Sequence, residues 1–392
     1  MNPLISVPMS YPDLSEAERE AIAAVMRTPN LSMGREIQAF EATFRAYLGC
    51  RHAIAVNSGT AALHLCVRAA GISDGDLVIT TPYSFVASSN VLLFERAIPV
   101  FVDVEAKSGN MDVSILHQAV HDLAQGGIAA DRWLPRSGNN SNSQIRAILP
   151  VDVFGQPADM DAIMDIARQN GLKVMEDSCE SLGAEYKGRK AGCLGDYGTF
   201  GFYPNKQITT GEGGMIVTDD DQAAELMLAL RNQGRAPGDT WLQHTHLGYN
   251  YRLDEMSAAL GRIQMARIDE MLLKRAQVAQ WYNQRLDILP GVETLQISPT
   301  TSRMSWFVYV IRFSQDINRD EIARKLEARG VPARPYFLPI HLQPYMVERF
   351  GYQEGDFPVT EDLGRRGLAL PFSGVMADEQ VDFVCSALRE VL

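Results

Sequence analysis

An α/β protein, with a mainly parallel central sheet in a large domain and a smaller α+β domain at its C-terminus, is the fold that this chain predicts. Two observations lead there. From Leu77 to Glu176, short apolar runs of strand type alternate with longer helix-type segments, the rhythm of a parallel sheet covered by helices. The rhythm then breaks at Pro290-Gly291, and 392 residues are enough for two domains, expected at 1–288 and 289–392.

The elements follow in order. Ser15 caps a helix and Glu18, three residues on, completes a capping box. After Pro29 and Gly34, a second helix runs from Ile37 to Leu48 with Phe40, Phe44 and Leu48 on one face. Ala53–Val56 is strand-like, Asn57-Ser58-Gly59-Thr60 is a small polar turn, and Ala61–Ala70 is a helix stopped by Gly71. Strands at Leu77–Thr80, Val100–Val104, Ile145–Val153 and Lys173–Glu176 alternate with helices at Phe85–Arg96 and Ala158–Asn170. The stretch Gly126–Gln144, with Pro135, Gly138 and Asn139-Asn140-Ser141-Asn142, departs from the pattern and reads as an exposed excursion.

Helices are expected over Asp221–Arg231, from Asp254 to beyond Ile268, and over Leu272–Leu286. The C-terminal domain carries a strand at Trp306–Ile311, a helix at Arg319–Arg329, a proline-stiffened loop from Arg334 to His341, and a closing helix at Asp378–Val391.

Composition narrows the function. Hydrophobic residues make up 46%, which argues for a folded core, and the net charge of −12 argues against nucleic acid or an anionic membrane as the main partner. Cys50, Cys66, Cys179, Cys193 and Cys385 show no metal-type spacing, so no metal is expected, and they read as reduced thiols of a cytoplasmic protein. No leader is evident at the start, and no run approaches the ~20 apolar residues of a membrane span.

Three features carry chemistry. Strand, polar turn and helix at Ser58–Thr60 form an anion site, since the first amides of a helix lack partners; Gly59 lets a phosphate approach and the hydroxyls add donors. An ordinary helix cap has the same pattern. Asp177 ends a strand, where ligands of open α/β sheets sit, although a strand-end aspartate also serves as a cap or an arginine partner. Lys206 stands between Pro204 and three glycines, Gly211, Gly213 and Gly214, on a stiff turn rather than a helix face. A fixed amine suits Schiff-base chemistry, whereas a solvated turn lysine does nothing. Together the three match the needs of pyridoxal 5'-phosphate: donors for its phosphate, a lysine for its aldehyde, a carboxylate for its ring nitrogen. Phe85 offers a flat face for the ring, or simply core packing.

With Asn57-Ser58-Gly59-Thr60-Ala61-Ala62-Leu63, Glu176-Asp177-Ser178, Phe202-Tyr203-Pro204-Asn205-Lys206 through Gly214, and Gly248-Tyr249-Asn250-Tyr251-Arg252, the chain resembles the DegT/DnrJ/EryC1/StrS family from about Ser10 to its end. The resemblance implies a fold-type-I, pyridoxal-phosphate-dependent aminotransferase that moves an amino group from L-glutamate to the C4 or C3 keto group of a nucleotide-linked keto-6-deoxy sugar. It implies Lys206 as the catalytic lysine, Asp177 at the ring nitrogen, Phe85 on the ring, and Gly59 and Thr60 at the phosphate. It also implies a homodimer in which Asn250 reaches the neighbouring subunit's phosphate, and a substrate contact at His341, which reads equally well as a satisfied loop histidine. Arg252 and Arg334 are candidates for the substrate diphosphate, or surface ion pairs.

Two positions depart from the family pattern. Gly201 stands where many members carry a phosphate-binding serine, a loss of roughly 1–2 kcal/mol unless a hydroxyl such as that of Thr210 replaces it. Glu180 replaces a common glutamine and is similar to the motif of perosamine-type synthases. A sugar dehydratase of the same family is disfavoured by the retained lysine. A non-catalytic regulator or binding protein is disfavoured by the intact triad of features, and a nicotinamide dehydrogenase by the lack of a G-x-G-x-x-G after a strand.

Overall fold

The computed structural model describes residues 6–138 and 143–392. Its centre is a seven-stranded sheet drawn from β1 (His52–Val56), β2 (Leu77–Thr80), β3 (Ile98–Phe101), β4 (Ile145–Ile148), β5 (Lys173–Asp177) and, after the two-residue strands β6 (Glu185–Tyr186) and β7 (Arg189–Lys190), β8 (Tyr197–Gly201) and β9 (Gly214–Thr218). The spatial order is β1-β9-β8-β5-β4-β2-β3. Neighbours β3, β2, β4, β5 and β8 are parallel, whereas β9 runs antiparallel to both β8 and β1. One reversed strand in a parallel sheet has a direct consequence: the chain leaving β8 re-enters β9 at the same edge, with Gly201 opposite Gly214.

Burial on both faces explains the apolar character of these strands. Leu77 and Ile79 point into a core with Leu116 and Ile163 of the Val113–Gln125 and Met160–Asn170 helices, while Val78 points the other way, towards Leu63 and Val67 of the Gly59–Ala69 helix. A third core packs Phe40 and Phe44 of the Arg35–Leu48 helix against Phe200 and Phe202. The first helix, Glu16–Met26, has the expected capping box of Ser15 and Glu18.

Beyond Gly291 the chain forms β10 (Val292–Thr294), β11 (Thr301–Arg303), β12 (Tyr309–Phe313), β13 (Arg334–Pro335) and β14 (Gly367–Leu370). Four of them make an antiparallel sheet in the order β10-β12-β14-β13, and β11 turns back to pair with β6. The strand expected at Trp306–Ile311 begins three residues later, because Trp306 takes a positive φ and the Trp306–Phe307 carbonyls are used by a side chain instead of a sheet.

The Gly126–Gln144 excursion is not wholly irregular: Gly127–Asp131 forms a short helix, and Trp133 Nε1 donates to Asp122 at 2.9 Å. Its Asn139–Asn142 run lies outside the described residues. Among the described residues, no helix is long and apolar enough to cross a membrane.

Candidate active site

β1, β5 and β8 point the same way, so Ser58–Thr60, Asp177 and the Lys206 turn all emerge at one edge of the sheet, the carboxyl edge where open α/β sheets bind ligands. They border one cavity of about 430 Å³. Ser58, Gly59, Thr60, Phe85, Asp177, Glu180 and Lys206 all line it.

The Ser58 hydroxyl caps the Gly59–Ala69 helix by accepting from the Ala61 amide at 3.0 Å, and the Ser58 carbonyl accepts from Ala62. The Gly59 and Thr60 amides have no acceptor among the described residues, so the helix start keeps two free donors at the cavity. A side chain on Gly59 would press on Cys179 Sγ at 3.0 Å and on Gly201 Cα at 3.2 Å, so close packing against β8 requires glycine there.

Asp177 is buried. Its Oδ2 accepts from the Ser88 hydroxyl at 2.7 Å and its Oδ1 from the Cys179 amide at 3.2 Å. Ser88 is held in turn by Ser84, just before the Ala87–Phe94 helix, at 2.8 Å. Behind Asp177, buried Asp152 accepts from the hydroxyls of Ser178 and Ser181 at 2.6 and 2.7 Å, fixing the turn that presents Glu180. Burial pushes the Asp152 carboxyl up to about 6.

Lys206 closes a tight turn, its amide donating to Tyr203 O at 2.9 Å. Its Nζ stands 3.8 Å from Glu180 Oε1 and 3.8 Å from the centre of the Phe307 ring. Glu180 Oε2 accepts from the Phe154 amide at 2.9 Å. Burial pushes the Glu180 carboxyl up to about 7, against the opposing pull of Lys206 and the Phe154 amide. Phe85 is 64% exposed, so its ring is a wall of the cavity and takes no part in the core.

The remaining expected residues sit elsewhere. His341, expected at the substrate, is instead fully buried in a Ile340–Leu342 turn; its Nε2 bonds Glu361 at 2.9 Å and its ring packs edge-on against Phe357. Arg252 bonds the Asn232 side chain at 3.1 Å and does not line the cavity. Arg334 is exposed beside a smaller hollow that shares Asn205, Phe307 and Tyr336 with the main cavity. Asn250 is exposed and outside its own chain's cavity. The Thr210 hydroxyl donates to Glu212 O at 2.7 Å and cannot stand in for a serine at 201.

Sequence reasoning missed the roof. Phe307, Tyr336 and Phe337 line the cavity from the C-terminal part, and no local motif marks them. It also missed Ser88, whose bond to Asp177 joins two segments far apart in sequence.

The residues fit pyridoxal phosphate on structural grounds: two unpartnered helix-start amides, a buried carboxylate held by a hydroxyl and an amide, a free aromatic face and one lysine share a cavity of suitable size.

A model describing the DegT/DnrJ/EryC1/StrS aminotransferase family matches residues 12–389. The chain is 37% identical to a GDP-perosamine synthase of Caulobacter vibrioides, with all of both chains covered. It is 33% identical to a dTDP-3-amino-3,4,6-trideoxy-alpha-D-glucose transaminase of Streptomyces venezuelae, covering 99% of this chain and 95% of that one. Among solved structures, a DegT DnrJ EryC1 StrS aminotransferase from Brucella abortus superposes with a TM-score of 0.85 at 30% identity, over 96% of this chain and 95% of the other.

Proposed function

Since the chain belongs to the DegT/DnrJ/EryC1/StrS family of pyridoxal-phosphate-dependent aminotransferases, among which are enzymes that make amino sugars, we propose that it transfers an amino group from L-glutamate to a keto group of a nucleotide-linked keto-6-deoxy sugar. The product would be an amino sugar for a surface polysaccharide or a natural product. The observation that supports this reading is the meeting of Lys206, Asp177 and the free Gly59 and Thr60 amides in one cavity.

Pyridoxal phosphate, when bound, supplies an aldehyde that condenses with amines and a ring that withdraws electrons from the neighbouring carbon. Gly59 and Thr60 would hold its phosphate, Phe85 one ring face, and Asp177 the ring nitrogen. The hydroxyl of Ser88 and the amide of Cys179 keep the Asp177 carboxylate aimed. Lys206 Nζ would take up and return the proton of the reacting carbon, with the Glu180 carboxylate and the Phe307 ring meeting the charge it then bears. Phe307, Tyr336 and Phe337 exclude water from that exchange.

Amination at C4 is the position we favour, because Glu180 stands beside the amine and the chain is similar to a GDP-perosamine synthase over its full length. Arg334 is the better placed of the two arginines to meet a diphosphate, since its hollow adjoins the main cavity. Asn250, exposed and outside its own site, is assigned to the cavity of a partner subunit in a homodimer.

The test is a panel of nucleotide-linked 4-keto and 3-keto sugars with glutamate, read by product mass. Amination of a 4-keto-6-deoxy sugar is expected. Reaction of keto-cyclitols but of no keto sugar would overturn the substrate assignment. Borohydride trapping and peptide mapping should place the cofactor on Lys206.

A further inference from the structure

Arg275 lies in the Ile268–Leu286 helix behind the Lys206 turn and is only 5% exposed. Among the described residues no carboxylate lies within ion-pair distance of it, and Asp13 acts on it only from further off. Its Nη2 donates to Lys206 O at 2.6 Å and Asn205 O at 3.2 Å, and its Nη1 to Trp306 O at 3.0 Å and Phe307 O at 3.2 Å. Burial pulls its guanidinium down to about 10, against a weaker opposing pull from Asp13. A buried cation without a counter-ion is costly, and carbonyl groups repay that cost only when several converge on it.

The four carbonyls belong to two segments distant in sequence, which also touch where Gln207 Nε2 donates to the Ser305 hydroxyl at 2.9 Å. One carries the reactive amine, the other the ring 3.8 Å beneath it. We propose that Arg275 is the positioning residue of this site: its planar fork sets the separation between Lys206 Nζ and the Phe307 face by clamping both main chains at once. This inference rests on Lys206 being the reactive amine. A lysine at 275 keeps the charge but presents donors from a single atom, and so cannot span both segments.

A second latch supports the same turn. Gln264 Oε1 accepts from the Thr209 amide at 3.3 Å, while its Nε2 bonds Glu18 Oε1 at 2.7 Å and Asp13 O at 2.9 Å. That latch holds the far end of the turn, and Gln207 Nε2, donating to Glu180 O at 2.6 Å and to the Ser305 hydroxyl at 2.9 Å, holds the residue after Lys206; the Asn205 and Lys206 carbonyls themselves are held by Arg275.

The decisive measurement is made on cofactor-free protein. An amine-acylating reagent is applied at one pH and each lysine is followed by peptide mass. In Arg275→Lys and Arg275→Met, Lys206 should acylate at least about three-fold faster than in the parent, while Lys173 and Lys190 keep their rates. Phe307→Leu, which removes the ring and spares the clamp, should accelerate Lys206 similarly, and Arg275→Lys with Phe307→Leu should add little. In the holoenzyme, Arg275→Lys should lower kcat on the order of 10–100-fold, the cost of a displaced reacting group, with KM for the keto sugar changed much less. Unchanged Lys206 labelling overturns the proposal, as does a uniform rise at all lysines, which marks loosened folding. If Arg275→Met does not fold, Arg275→Lys and Phe307→Leu decide the outcome. Cofactor trapped on another amine would instead sink the reading of Lys206, whatever the labelling shows.

Discussion

At the scale of the residue, Glu180 sets a pH dependence. Its carboxyl is raised in the folded protein from the usual 4.5 to about 7, chiefly by burial. The unfolded chain therefore releases this proton first as pH rises. Stability from this group is complete below pH 4.5 and is lost as pH climbs through 7. Glu180→Gln should flatten the loss of stability between pH 5 and 8 by roughly 1–3 kcal/mol, compared with the parent by urea unfolding at each pH. Buried Glu176, raised to about 8, leaves its own decline in both proteins, so the difference between them isolates Glu180. Lys206 is the other single-residue test. Lys206→Ala should fold as the parent does and lose on the order of 10²–10⁴ in transamination rate, measured by single-turnover kinetics.

At the scale of the element, the end of β8 explains which parts of the site can change. A side chain on Gly201 would meet Cys179 Sγ at 3.5 Å and Gly59 Cα at 3.7 Å, ordinary contact distances. Space does not forbid a serine at this position. Gly201→Ser should therefore be tolerated and should tighten pyridoxal phosphate by about 1 kcal/mol, some five-fold in Kd by fluorescence titration of the cofactor-free protein. Elements and their turn chemistry were the legible part of this sequence. Ser15 with Glu18, the Ser58 cap, and the Lys206 turn each draw on residues within a few positions of one another. What stayed hidden depends on contacts between distant segments: Asp177 is held by Ser88, and the ring under Lys206 comes from residue 307. Which of the two readings of His341 holds in the folded chain was hidden for a related reason. A proline-stiffened loop looks exposed in sequence, but Glu361, Tyr352 and Phe357 bury its histidine.

At the scale of the whole molecule, the cavity exists only while the C-terminal part stays on the sheet, because the roof residues Phe307, Tyr336 and Phe337 belong to it. Tyr83 and Asp103 supply two of the polar ties that hold it there. Tyr83, fully buried, donates to Tyr336 O at 2.8 Å. Asp103, just past β3, accepts from the Val359 and Thr360 amides at 2.9 Å each and from the Thr360 hydroxyl at 2.8 Å. Those amides open the Pro358–Arg366 helix, so Asp103 caps a helix that lies more than 250 residues away in sequence. Replacing it leaves buried donors without acceptors. Asp103→Ala should cost about 2–3 kcal/mol of stability in denaturant and speed hydrogen exchange at the 359–366 amides. Exchange should also rise at the roof, residues 334–337, while the Gly59–Ala69 helix stays protected. Equal exchange gains in both parts would mean that the sheet and its cover unfold as one unit, and the site would then open by global unfolding alone.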